Sequence, residues 1–207
     1  MTRPLVVTDC DEVLLHMVRH FRDWLSEAHG IEFLLDGNPF AQDLIPRSGE
    51  PLDTADKWRL LEAFFDTEMY RQTAIDGAVT AVGELQRDAD VVVLTNLQDR
   101  YREARARQLA EHGIAAKVYT NQGPKGPALQ RIVEEHAASS IVFIDDLIHH
   151  HASAADTLPA VTRLHLCGEG AIAPHIDCAH RAGYAHARID TWAEALPWLL
   201  ETLHGKR

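Results

Sequence analysis

Four short apolar runs constrain this chain more than any other feature of its sequence. Leu5-Val6-Val7, Val91-Val92-Val93-Leu94, Ile141-Val142-Phe143-Ile144 and the weaker Val161 to Leu166 recur along its length. Consecutive apolar residues predict strands covered on both faces, as in a parallel sheet. Helical stretches lie between and after them. Arg100 to His112 is closed by Gly113, and Pro127 to His136 opens with a proline suited to a first turn. Thr191 to Leu203 has an N-cap threonine with Glu194 following it in the first turn. Strands alternating with helices predict βαβ units. The expected fold class is α/β, with a doubly wound, Rossmann-like parallel sheet as its core.

The segment from about Leu15 to Ile75 breaks this rhythm. It reads as a helix over His16 to Ala28, a loop rich in Gly and Pro through Gly49-Glu50-Pro51, and helical material from Asp53 to Tyr70, with no strand evident. The expectation is a core domain over residues 1-14 and 76-207 and a small all-helical cap over 15-75. Such an insertion, placed directly after the first strand, sits over that strand's carboxyl end, where open α/β sheets bind their ligands. A chain of 207 residues is long enough for one core with a small insertion and short for two full domains.

Charge narrows the partners. A formal net charge of -11 repels nucleic acid and anionic membrane surfaces, so a small ligand in a locally adapted pocket is expected. Met1-Thr2-Arg3-Pro4 leads straight into the first apolar run without a signal-peptide h-region, and no apolar run reaches membrane-spanning length. The sequence therefore predicts a cytoplasmic protein with no nucleic-acid and no membrane partner; it leaves the oligomeric state open. Cys10, Cys167 and Cys178 are widely spaced and form no ligand or dithiol pattern, even with His175 and His180 near Cys178, and read as ordinary packing.

The residues at the strand ends are less ordinary. The first apolar run ends in Asp9-Cys10-Asp11, the second in Thr95-Asn96, and the Ile141 run in Asp145-Asp146. Any one of these could simply cap a helix or a turn. Together they lie at carboxyl ends of parallel strands and can converge on one point. Lys125 enters from a helix start, in Gly123-Pro124-Lys125-Gly126-Pro127. Converging carboxylates repel one another unless a cation sits among them, and a hard cation with oxygen ligands, such as Mg2+, both relieves that repulsion and recruits phosphate oxygens. The lysine and the threonine hydroxyl supply positive charge and a hydrogen bond for the remaining phosphate oxygens. The chemistry implied is phosphoryl transfer, with one carboxylate of Asp9 and Asp11 attacking phosphorus and the other moving a proton.

This order of motifs resembles the four signatures of the haloacid dehalogenase superfamily: a strand then Asp9-x-Asp11-x-Val13, a strand then Thr95-Asn96, Lys125 at a helix start, and a strand then Asp145-Asp146. The resemblance implies that Asp9 is the nucleophile that becomes an aspartyl phosphate and Asp11 the general acid and base. It implies that Thr95 and Asn96, with Lys125, bind the transferring phosphoryl group. Asp145 and Asp146 would hold Mg2+ together with the Asp9 side chain and the backbone carbonyl of Asp11. An acid at position 11 implies a phosphatase rather than a dehalogenase, acting on a small phosphorylated metabolite, and the insertion resembles the family's C1 cap. The family often follows the second aspartate with glycine; this chain has Glu12.

Other readings stay open at this stage. A phosphomutase or other phosphotransferase differs only in what accepts the phosphoryl group. A receiver-type signalling domain shares the residue types but not their order, and a non-catalytic phosphoryl-binding protein has no need of the full set. His149-His150-His151 is expected to place at most one ring near the site, because successive helical residues diverge. Trp24, Trp58, Phe64 and Phe65 are expected to pack the cap core. Arg47, Lys57 and Arg59 either meet an anionic substrate or lie on the surface.

Overall fold

The first apolar run forms strand β1 (Leu5–Thr8), and its four residues are all fully buried. In the computed structural model, which describes residues 3–33, 44–46, 49, 52–138 and 140–205, β1 sits inside a six-stranded sheet. The chain then enters the insertion through α1 (Val18–Trp24), continued by a wider helical turn over Leu25–His29. Two short strands come next, β2 (Ile31–Glu32) and β3 (Ile45–Pro46), paired antiparallel. The long helix α2 (Thr54–Thr67) is capped by Asp53, whose side chain accepts from the Asp56 amide. Among its described residues the insertion is therefore helical but for one small β pair, where the sequence showed no strand. Two residues per strand are too few for periodicity to register. Of the expected Gly49-Glu50-Pro51 loop only Gly49 lies within the described residues.

The core resumes with α3 (Ala78–Asp88), β4 (Asp90–Thr95), α4 (Arg102–Glu111), β5 (Lys117–Thr120), α5 (Gly126–His136), β6 (Ile141–Asp145), α6 (Ile148–Thr157), β7 (Thr162–His165), β8 (Ala187–Arg188) and α7 (Trp192–Leu203). The sheet order is β5-β4-β1-β6-β7-β8, with every pairing parallel. The edge strands β5 and β8 escaped the sequence reading because neither is a continuous apolar run. No helix among the described residues is long and apolar enough to cross a membrane.

Alternation along β1 divides the core. Val6 belongs to a cluster with Ala78 and Leu85 of α3 and Trp192 and Leu199 of α7. Leu5 and Val7 belong to another with Leu129 and Ile132 of α5 and Ala154 of α6. Each apolar side chain buried this way contributes about 1.5–3 kcal/mol relative to exposure. A third cluster joins Phe21, Trp24 and Phe64 of the insertion to Leu97, Tyr101 and Ile176 of core loops.

The chain leaves and re-enters the core through adjacent segments. His16 donates its amide to Thr73 O at 2.9 Å, and Ile75 donates to Leu14 O at 2.9 Å. The loop after β7 closes on the same place: Gly168 N donates to Glu12 O at 2.7 Å, and a Cβ at Gly168 would lie 2.5 Å from Ile75 Cγ2. Only glycine permits that approach.

Candidate active site

Because β1 lies between β4 and β6 in register, the residues just past or at their carboxyl ends come together. Asp9, Asp145 and Asp146 form a buried group whose ligand oxygens lie within 4.8 Å of one another. Lys125, fully buried, projects from the start of α5, with Nζ 2.8 Å from Asp9 Oδ1 and 2.7 Å from Asp145 Oδ2. Helix α5 can bring it there because Gly126 packs against α6, where a Cβ would stand 2.4 Å from Ser153 O.

The two neighbours of Lys125 are satisfied differently. Asp145 also accepts from the Leu147 amide through Oδ1 at 2.9 Å, so both its oxygens are engaged. Asp9 receives the Cys10 amide at 2.7 Å on Oδ1, the same oxygen that faces Lys125. Its Oδ2 receives neither. Burial and the nearby Asp145 push the Asp9 carboxyl up to about 7 despite Lys125. Burial, then Asp145 and Asp9, hold Asp146 well above the ordinary carboxylate range. For Asp145 burial works in the same direction, but Lys125 together with His150 and His151 outweighs it and brings the group down to about 2. Burial disfavours the Lys125 charge, yet the two carboxylates hold its pKa above the ordinary value. Three carboxylates against one lysine leave the cluster short of positive charge. Its oxygen-only donors suit a hard divalent cation, and the resistance of Asp9 and Asp146 to ionisation is what such an ion would relieve.

Asp9, Asp11, Thr95, Asn96 and Asp146 line a cavity of about 430 Å³. Thr95 Oγ1 is buried there without a hydrogen-bond partner, an acceptor or donor left over for a ligand. Asn96 faces the cavity while its amide is tied down, donating to Gly123 O at 2.9 Å and accepting from Asn121 Nδ2 at 2.9 Å.

Asp11 departs from the expected convergence of four carboxylates. The turn after β1 splays it from Asp9, and its carboxylate is held by Arg105 Nη2 at 2.9 and 3.1 Å and by Gln72 Nε2 at 2.7 Å. Arg105 is fully buried, also donates to Gln72 and Gln108 at 3.0 Å each, and lies 5.7 Å from the centre of the Phe65 ring. No sequence signal singles it out, since Arg105 is one of several arginines in a strongly polar helix and its partners are distant in the chain.

Glu12 occupies left-handed backbone, φ 61°, the conformation glycine adopts freely. Its Oε1 accepts from the Met17 and Val18 amides at 2.9 and 2.6 Å, capping α1. That explains how an acid stands where glycine would be easier. Burial pushes its carboxyl up to about 8.

Two aromatic expectations need correction. Both His149 and His150 line the cavity, while His151 turns away, with Nε2 2.9 Å from Asp145 O. Leu147 and Ile148 line it as well, so the start of α6 borders the cavity along four consecutive residues. Trp24, Phe64 and Phe65 are buried as expected, but Trp58 is 63% exposed and lines the cavity. Lys57 and Arg59 are not among its lining residues, and Arg47 lies outside the described residues.

The whole arrangement can be set beside known structures. A hydrolase of Deinococcus radiodurans R1, solved with bound phosphate and sodium, is similar over 96% of this chain and 95% of its own, at 19% identity and a TM-score of 0.69. A haloacid dehalogenase-like family protein of Streptococcus pneumoniae matches over 96% of this chain and 98% of its own, at 13% identity and a TM-score of 0.66. This chain has the haloacid dehalogenase-like fold. No protein-family model and no curated protein matches the sequence, so the haloacid dehalogenase-like assignment stands on three-dimensional similarity, alongside the ordered motifs.

Proposed function

We propose that this chain is a haloacid dehalogenase superfamily phosphohydrolase that cleaves phosphate monoesters of small metabolites through an aspartyl phosphate, with residues 15-75 serving as its cap. The observation that carries this reading is the meeting of Asp9, Asp145 and Asp146 with Lys125 directly beneath a cavity that is lined by Asp9 and Asp146 and also presents the unpartnered Thr95 hydroxyl. Asp9, Asp145 and Asp146 would hold Mg2+, with the Asp11 carbonyl, and the ion would neutralise charge on the cluster and on a bound phosphate.

Asp9 Oδ2, the oxygen free of both Lys125 and the Cys10 amide, attacks phosphorus. A new O–P bond forms, the ester P–O bond breaks, and the leaving oxygen takes a proton from Asp11. Water then attacks the same phosphorus, Asp11 takes its proton, and inorganic phosphate and free Asp9 are restored. Thr95 donates to a phosphoryl oxygen, and Lys125 balances charge developing on Asp9 and the phosphoryl group. For Asp11 to reach the leaving oxygen its carboxylate must turn from Arg105 and Gln72. Gln72 lies at the end of the insertion, so cap position and Asp11 position are linked.

The test is release of inorganic phosphate from acetyl phosphate and a generic aryl phosphate with Mg2+, and its loss in Asp9→Asn. Transfer of phosphate to an added sugar phosphate without net release would favour a phosphomutase. Undiminished hydrolysis by Asp9→Asn would overturn the nucleophile.

A further inference from the structure

The cavity has two unlike halves. Its floor is the polar cluster, whereas the walls around it are apolar: Met17, Leu61 and Phe65 from the insertion, Leu97 and Ile176 from core loops. Trp58 completes that wall from α2. It is 63% exposed, although Phe64 and Phe65 of the same helix are buried. Leaving an indole in water forgoes a large burial gain, and an uncovered indole at a cavity wall is a surface on which a flat group can stack.

Charge sharpens this. Neither lysine nor arginine is among the described residues lining the cavity; away from the cluster its ionisable groups are His149 and His150 at the start of α6 and the acidic, exposed Asp177. Nearby arginines are already engaged: Arg105 holds Asp11, Arg59 pairs with Asp56, and Arg100 donates to Tyr101 Oη at 2.7 Å. A substrate with a second carboxylate or phosphate on its alcohol would bring that charge against apolar walls and an aspartate, with no lysine or arginine among the described lining residues to offset its desolvation. A volume of about 430 Å³ falls in the range of small-ligand sites and leaves space beyond the phosphoryl group for a leaving group of ring size.

We infer that the substrate is a phosphate monoester whose alcohol carries a flat, apolar or aromatic ring and no second anionic group, and that Trp58 is the surface on which the ring lies. This rests on reading the Asp9 cluster as a phosphoryl-transfer site, and it deepens that reading by naming the leaving group. Trp58 is a specificity residue here, with no part in the bond-making steps.

The experiment measures kcat and KM with Mg2+ for acetyl phosphate, benzyl phosphate, phosphoglycolate and phosphoethanolamine. Benzyl phosphate is an alkyl ester, so it lacks the leaving-group advantage of aryl esters. It should exceed phosphoglycolate and phosphoethanolamine in kcat/KM by about tenfold or more, the size of one ring-stacking contact. Trp58→Ala should lower kcat/KM for benzyl phosphate about tenfold more than for acetyl phosphate, chiefly through KM, and Trp58→Phe should restore most of the difference. If acetyl phosphate is hydrolysed but phosphoglycolate or phosphoethanolamine is preferred to benzyl phosphate, the ring assignment is overturned while the phosphohydrolase stands. An equal loss on all substrates in Trp58→Ala overturns the stacking role. Failure to hydrolyse even acetyl phosphate overturns the phosphohydrolase reading, and this inference with it.

Discussion

Two buried acidic clusters lie close together in this molecule, and their oxygens have different fates. One is Asp9, Asp145 and Asp146 at the strand ends; the other is Glu12, His16 and Glu169 where the insertion joins the core. In the second, Glu169 receives Arg19 through both oxygens, at 2.7 and 2.9 Å, and His16 Nδ1 lies 3.0 Å from Glu169 Oε2. Glu12 is occupied by the α1 amides through Oε1. In the first, Asp9 and Asp146 face a cavity with one lysine between three carboxylates. An acidic triad is therefore understood by which groups satisfy its lone pairs. The second cluster spends most of its oxygens on joining two parts of the fold, although Glu12 Oε2 is buried there without a partner, whereas the strand-end cluster sets Asp9 and Asp146 at the cavity beside a single lysine.

The largest expected effect separates the clusters by activity. Asp9→Asn should abolish phosphate release while the protein still melts cooperatively, since an amide is not a competent nucleophile. Glu12→Ala should do the reverse, lowering stability by about 1 kcal/mol through loss of the α1 cap and leaving a measurable rate. Steady-state assays and melting curves on both variants check this; matched losses of activity in the two would erase the distinction.

Asp11 stands between the clusters, and its test is graded. Asp11→Asn should slow esters with poor leaving groups by about 10²–10⁴-fold and good ones much less. Equal losses across a leaving-group series would count against Asp11 as the acid.

Metal binding should divide the clusters again. Mg2+ at roughly 100 times its dissociation constant adds about 2.7 kcal/mol, a rise of roughly 5–10 °C in melting temperature. Asp146→Asn should lose most of that rise, and Glu169→Gln should keep it. A shift that survives in Asp146→Asn and vanishes in Glu169→Gln would place the cation where the insertion joins the core.

The smallest effect is on pH dependence. Asp9 is held near 7, above its ordinary 3.8, so between those values the folded state binds more protons than the unfolded one. Stability in chelator should therefore fall as pH rises through about 7, and Mg2+ should flatten that slope. Glu12, at about 8, adds a fall with the same sign that Mg2+ does not remove and Glu12→Ala does. Glu169 has the opposite sign. Burial works against its charge, but His16 and Arg19 bring it to about 2, so its contribution is present above its ordinary 4.5 and lost as pH falls through about 2. Melting temperature against pH, for parent and Glu169→Gln, separates the acid side.

Sequence alone determined the four inner strands of the core sheet, the place of the insertion after β1 and the four positions from which the candidate site is built. Those are matters of local pattern: apolar runs at β1, β4 and β6 fix the strands, and a parallel sheet must then align their ends, so the pattern alone groups Asp9, Thr95 and Asp145-Asp146. Tertiary structure decided which oxygens remain free. Arg105 and Gln72 draw Asp11 aside, Glu169 comes from a loop after β7 to meet His16 and Arg19, and Glu12 turns its φ of 61° to cap α1. The placement of Trp58 was likewise a tertiary matter, since a tryptophan at helical spacing packs inward or faces a cavity according to what lies opposite. Each of these depends on partners many residues away, and hydrogen bonds and burial between distant segments leave no periodic trace along the chain.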